Sequence, residues 1–384
     1  MRRVLPVIVL AQFCCTSLWF AGNAVAPDIA RQFGLADNFV ANLTSAVQLG
    51  FISGTLAFAV LAIADRFSPS RVFLVSALLA ALCNLGVLAA ATEAVHLLAF
   101  RFLTGFFLAG IYPVGMKIAS DYYQAGLGKS LGFLVGALVL GTAFPHLLRS
   151  ATTQLPWHYV LVATSGLAAL GGMAMAVLVP DGPHRQAGQR LRFMAMLEGF
   201  RVPRFRAAAF GYFGHMWELY TFWAFVPAML STYNRMHLGA ELPVPLLSFL
   251  IIGGGALACM GGGLLSQVVP GRNVALGALS LSGLCCLASP LLLRVGYAPA
   301  LAAFLFFWGL VVVADSPLFS TLVAQSAPEA TRGTALTIVN CLGFAITVVS
   351  IQVTSWLVGY LGPQNVYLVL VLGPAAGLLT QRSR

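Results

Sequence analysis

Charge is what this sequence has least of. Only 8% of its 384 residues are Asp, Glu, Lys or Arg, where a soluble domain carries about 25%. Acids are the scarcer sign, 11 against 21 basic residues. With 59% hydrophobic residues, no single globular core could hide so much apolar surface, which excludes a soluble enzyme or scaffold. A phosphate-cradling G-x-x-x-x-G-K-[ST] loop is missing, so the chain does not drive itself with ATP. No metal-ligand spacing, cofactor motif or nucleic-acid module is visible, although His215 and Glu218 at i and i+3 are residue types that ligate metals. The seven cysteines (Cys14, Cys15, Cys83, Cys259, Cys285, Cys286, Cys341) all fall inside apolar runs, without disulfide or zinc spacing, and read as small packing residues. The period-2 alternation of an outer-membrane barrel is also absent.

What is present is a series of apolar runs long enough to cross about 30 Å of hydrocarbon as helices, where the backbone must satisfy itself. They segment into about twelve spans: 4–28, 39–63, 71–91, 95–119, 128–148, 158–179, 207–231, 243–266, 274–293, 300–324, 333–357 and 364–380. The first also has signal-peptide features, a basic start and an Ala24-Val25-Ala26 sequence. Its apolar run is longer than a usual signal core, so it is read as a span. Connecting loops are short except 181–206, which holds Arg185, Arg190, Arg192, Arg201, Arg204 and Arg206 and separates six spans from six. The expected organisation is an all-α membrane protein with a six-helix bundle at 1–180, a linker at 181–206, and a second bundle at 207–384. Part of the linker, "RLRFMAMLEGF", has the pattern of a short amphipathic surface helix.

The formal net charge of +10 is distributed by side. Even-numbered loops hold Arg2, Arg3, Arg66, Arg71, Lys129, the six linker arginines, Arg272, Arg332, Arg382 and Arg384; odd loops hold Arg31, Arg149, Arg235 and Arg294. The positive-inside rule then puts both termini and the linker in the cytoplasm, in an inner membrane.

A few polar residues interrupt the spans. Asn23 lies in span one, Arg101 in span four, His215 and Glu218 in span seven ("FGHMWELYTFW"), and Asp315 in span ten. An ionisable group at a helix centre costs about 2.5–3.5 kcal/mol on insertion scales, so such groups usually face a water-filled cavity or one another. His215 and Glu218, three residues apart on one face, are expected either to satisfy each other or to handle a proton, with Asp315 as partner or alternate carrier. Arg101 either snorkels to the surface or binds an anionic group. Lys117, His146 and Arg149 lie near span ends and read as interfacial. The glycines of spans four, five and eight (Gly105, Gly110, Gly115, Gly132, Gly136, Gly141, Gly253 to Gly255, Gly261 to Gly263) read as sites of close helix approach.

Several short motifs carry a resemblance. "LAIADRFSPSR" (61–71) after span two and "GGLLSQVVPGR" (262–272) after span eight look like two copies of one turn-forming basic element. They resemble the G-x-L-a-D-r-x-G-r-k motif of the major facilitator superfamily, with Asp65 and Arg66 as its acid–base pair. Leu61 and Ser68 replace its glycines in the first copy, and Gln267 its acid in the second. "NAVAPDIARQFG" (23–34), "RFLTGFFLAG" (101–110) and "PEATRGTAL" (328–336) are similar to further motifs of that superfamily, and the six-plus-six layout matches it. The Gly-Pro pair frequent in span five of its antiporters is absent, and Leu18 stands where drug exporters often have an acid.

Membership would imply two six-helix bundles built from three-helix repeats, rocking about a midplane site lined by spans one, four, seven and ten. Asn23, Arg101, His215, Glu218 and Asp315 fall on those four spans. It would also imply a cytoplasmic gate at Asp65, Arg66 and Arg71, with Asp65 accepting hydrogen bonds at the helix start near Thr331, Arg332 and Gly333. The expected activity is secondary transport of a small solute, coupled to protons, by a monomer in the lipid bilayer, without cofactor, metal or nucleic acid. The other readings are a cation or drug/proton antiporter, a carrier for small organic anions, a non-transporting sensor on the same fold, and an intramembrane enzyme.

Overall fold

The protein is described from a computed structural model over residues 4–35, 39–89, 93–123, 127–185, 199–327 and 332–381, the side chains at 127–129, 131 and 332 excepted. Much of the expected linker (186–198, with Arg190 and Arg192) and the side chain of Arg332 therefore lie outside the described residues. Helices account for all regular structure among the described residues. The chain forms two compact units, Met1–Leu191 and Arg192–Arg384.

In the first unit, span one is broken into Val4–Thr16, Ala21–Ala24 and Ala26–Phe33. The break follows from local competition. The Thr16 hydroxyl donates to Gln12 O at 2.8 Å and the Ser17 hydroxyl to Cys14 O at 2.7 Å, and such back-bonding offers the main chain alternatives to the helix. Pro27 sits in the first turn of the last piece, where its missing N–H costs nothing, and Gly34 ends that piece at φ 62. Span two is Phe39–Val60, followed by a helical turn at Ile63–Arg66, and span three is Pro69–Ala89. Span four is interrupted between Ala94–Leu108 and Tyr112–Tyr122, and Leu127–Ala151 and His158–Leu178 complete the six. Spans two and four pack at backbone distance: a Cβ at Gly105 would strike Val47 O, and one at Gly50 would strike Phe102 O. Not every glycine packs so. Around Gly132, Gly261 and Gly263 a Cβ would meet nothing within 4 Å among the described residues, which corrects the close-approach reading for these three.

The second unit opens with Pro203–Met236, 34 residues long. At 1.5 Å per residue that is about 50 Å, more than the hydrocarbon thickness. The helix therefore begins inside the expected linker, and Arg204 and Arg206 occupy its first turns. Val244–Leu265, Gly271–Arg294, the pair Ala298–Ala314 and Ser316–Ser326, and Arg332–Leu361 follow. Span twelve enters through a 3-10 segment, Val366–Val371, and continues as Leu372–Leu379.

Among the described residues nine helical spans are long and apolar enough to cross a membrane, with spans four and ten each taken across their interruption. The other three of the twelve depart for identifiable reasons. Span one is broken, span twelve is short, and span seven dilutes its apolar run with His215, Glu218, Asn234 and Arg235.

Candidate functional site

Arg101 is fully buried. It neither snorkels nor presents its guanidinium to an anion, because the main chain of span one takes it. Nη1 and Nη2 each donate to Leu18 O at 3.2 Å, and Nη2 donates to Trp19 O at 2.6 Å. These carbonyls lie in the break after Thr16, at the negative end of the first helical piece, where a cation is favoured. Nη1 also donates to Asn84 Oδ1 at 3.0 Å. Asn84, in span three, passes the network on: its Nδ2 donates to Leu161 O, Thr164 Oγ1 and Ser165 Oγ in span six. One arginine thus ties together spans one, three, four and six. Asn84 escaped the sequence reading because a lone amide within "ALCNLGV" carries no charge to mark it.

Asn23, on the short turn Ala21–Ala24, donates from Nδ2 to Thr44 Oγ1 of span two at 2.6 Å. His146, expected near an interface, is 2% exposed; it sits inside the unit on span five. Arg149 keeps to its helix end and pairs with Asp28 at 3.0 Å.

In the second unit, His215 and Glu218 turn to different partners. Glu218 Oε1 accepts from Trp308 Nε1 at 2.7 Å and Cys286 Sγ at 3.3 Å, and Oε2 accepts from Ser282 Oγ at 2.8 Å. The carboxylate is thereby bound to spans nine and ten, and Phe222 packs at a tilt on the Trp308 ring with centroids 4.5 Å apart. His215 Nδ1 lies 2.8 Å from Asp315 Oδ1, and both residues are 1% exposed. The two atoms are at ion-pair distance but not aligned for a directed hydrogen bond, and His215 Nε2 and Asp315 Oδ2 meet no polar partner among the described residues. Asp315 is the residue at which span ten breaks, between Ala314 and Ser316, with Pro317 in the next turn. The pairing of His215 with Glu218 is therefore replaced by a pairing across 100 residues of chain.

The loop after span two is held at several points. Asp65 Oδ1 lies 3.0 Å from Lys117 Nζ, which also approaches Asp121 at 3.9 Å. Arg185 donates to Asp65 O at 3.1 Å and Phe67 O at 2.7 Å while pairing with Asp181 at 2.7 Å. Ser68 donates to Asp181 as well, at 2.7 Å. Within this unit the partner of Asp65 is thus a lysine side chain; the segment at Thr331 lies outside the described residues. Arg66 and Arg71 are exposed. Among the described residues no three His, Cys, Asp or Glu side chains gather as a metal would need.

Comparison with known proteins agrees with this architecture. The Major Facilitator Superfamily profile matches residues 8–351. Among curated proteins, YyaJ of Bacillus subtilis, named for metabolite transport, is 26% identical over 171 residues, 44% of this chain and 37% of the relative. The MFS-type transporter 1 of Pyricularia oryzae is 27% identical over 173 residues, 42% of this chain and 26% of the relative. The matches thus span about a third and a quarter of these relatives' own length. Among solved structures, the human organic anion transporter MFSD10 superposes with a TM-score of 0.73 at 15% identity, over 99% of both chains. The proton:xylose symporter XylE does so with a TM-score of 0.74 at 14% identity, over 99% of this chain and 95% of the other. At such identities the likeness is one of fold, and with the profile match it leads to one statement: the chain is a multi-pass membrane protein that belongs to the Major Facilitator Superfamily of transporters.

Proposed function

We propose that the protein is a proton-coupled secondary transporter that moves a small solute by alternating access, with both termini in the cytoplasm. The observation that carries the coupling is the buried His215–Asp315 pair at the break of span ten. When the imidazole is protonated, it and the carboxylate in contact are jointly neutral. Placing a proton on the acid removes the attraction between them and leaves a net charge that the low-dielectric surroundings penalise. Because Asp315 is itself the break residue, its protonation acts where the helix can pivot. Glu218 suits this duty less well, since three donors from two other spans already converge on it; we assign it to cross-linking. Arg66 and Arg71 with the Asp65 loop are read as part of the cytoplasmic gate, supported by the clasp that Lys117 and Arg185 make on that loop.

Uptake of organic anions, which the human neighbour's name suggests, is less favoured because both Nη atoms of Arg101 are held by the Leu18 and Trp19 carbonyls and Asn84 Oδ1. The test is transport of radiolabelled candidate solutes into reconstituted vesicles. Asp315→Asn should abolish uptake driven by a pH gradient and retain solute exchange at equal pH. Gradient-driven uptake at the wild-type rate in that variant would refute the coupling role, and binding without any flux would mark a sensor.

A further inference from the structure

One cluster in the first unit is buried and incompletely bonded. Gln48, 0% exposed, has neither its Nε2 nor its Oε1 paired, and Asn23 Oδ1, in a side chain 5% exposed, is likewise without a partner among the described residues. The two are brought near each other by Thr44. Asn23 Nδ2 bonds Thr44 Oγ1 at 2.6 Å, and Thr44 lies one helical turn before Gln48 on the same face of span two. On the far side of Gln48, Phe51 carries the ring of Trp19, centroids 4.7 Å apart. Buried amides are almost always paired, and one that is not calls for a reason. Interior packing gives none here, because an apolar side chain of similar size would serve span two better.

The donor and acceptor inventory points to the class of ligand. Gln48 offers two N–H donors and a carbonyl, Asn23 a second carbonyl, and neither carries charge. A hydroxyl group is donor and acceptor at once and matches both. A carboxylate would bring oxygens against two carbonyl oxygens, and an ammonium would find no countercharge. Arg101, the buried arginine of the unit among the described residues, has both Nη atoms on Leu18, Trp19 and Asn84 oxygens and only its Nε–H without a partner. Asp121, the unit's buried acid, has Lys117 3.9 Å away. A charged solute would thus be desolvated here with at most that one arginine N–H to compensate it. The Trp19 and Phe51 rings provide an apolar surface beside the amides for the C–H face of a ring.

We infer that Asn23, Thr44 and Gln48 form a hydrogen-bonding site for an uncharged polyhydroxylated solute, and that this is the class of substrate the transporter carries. The inference rests on the transporter reading but not on proton coupling. It is tested on the purified full chain in detergent, at a single pH and without a gradient, by titrating D-glucose, D-xylose and myo-inositol against D-glucuronate and D-glucosamine and following the unfolding temperature. At least one neutral compound should raise that temperature saturably, and the two charged sugars should not at the same concentrations. Gln48→Leu should weaken the response about tenfold or more, the loss expected of a buried amide pair. Gln48→Glu, which keeps the size and adds charge, should do the same and serves if the leucine variant does not fold. Equal or better binding of a charged sugar, no response to any neutral compound, or undiminished binding in the Gln48 variants would each overturn the inference. Sugar binding combined with wild-type pH-driven uptake in Asp315→Asn would leave this site standing and remove the coupling proposal alone.

Discussion

Replacing Arg101 with leucine is the most informative single perturbation of the first unit. The guanidinium makes four hydrogen bonds to three acceptors: Leu18 O twice, Trp19 O and Asn84 Oδ1. Interhelical hydrogen bonds in membrane proteins average about 0.6 kcal/mol each, so the four set a floor of about 2 kcal/mol. The ceiling comes from what is left behind. A buried acceptor stripped of its donor costs about 1–3 kcal/mol, so the three acceptors together bring the total to about 6 kcal/mol. For a unit of this size each kcal/mol lowers the midpoint by about 2–4 °C, so Arg101→Leu should unfold at least about 4 °C earlier. Thermal unfolding followed by tryptophan fluorescence is a suitable assay because Trp19 reports from the break itself. Arg101→Lys should fall between the two, since a single ammonium cannot span three acceptors that a planar fork reaches together. An Arg101→Leu protein that melts within about 2 °C of the wild type would refute the clamp and return the arginine to the candidate ligands.

Two further outcomes follow from the packing. Trp308→Phe keeps the aromatic contact with Phe222 but deletes the shortest donor to Glu218; it should cost about 1–3 kcal/mol in unfolding measurements, clearly more than Cys286→Ala, which removes only a weak thiol donor, and equal losses would mean that the indole N–H is not the principal contact. Gly105→Ala should destabilise by about 1–3 kcal/mol because its Cβ meets the Val47 carbonyl, whereas Gly132→Ala, facing open space, should be neutral or stabilise by up to about 1 kcal/mol; the opposite order of melting temperatures would contradict the described contact between spans two and four.

The spans were legible because apolar run length is a direct consequence of the bilayer, and it needs no knowledge of what packs on what. The break at Asp315 was partly legible too, since Pro317 follows it. The break after Thr16 was not, because "TSLWFAG" reads as an uninterrupted apolar segment and its cause lies in hydroxyls turning back on their own helix. Site partners were the least readable part. Three-residue spacing places His215 and Glu218 about 60° apart around the helix, close enough to suggest a pair yet far enough for one to face the break of span ten and the other the indole of Trp308. Asn84, Trp308 and Gln48 carry no charge, so nothing in composition separates them from ordinary helix residues; their roles arise from neighbours distant in sequence. The same holds for Arg101, whose partners are carbonyls that every residue possesses.

That last point bears on how each half tolerates sequence drift. In the first unit the polar knot is closed by main-chain oxygens at positions 18 and 19, so the knot itself does not depend on which side chains those positions carry. In the second unit it is closed by the side chains of Glu218, Trp308, Ser282 and Cys286, each of which a single codon change removes. A saturation scan of the gene should therefore find the two knots unequally guarded: one sensitive essentially at Arg101 and Asn84, the other fragile at several of its members, although both lash helices together in the same way.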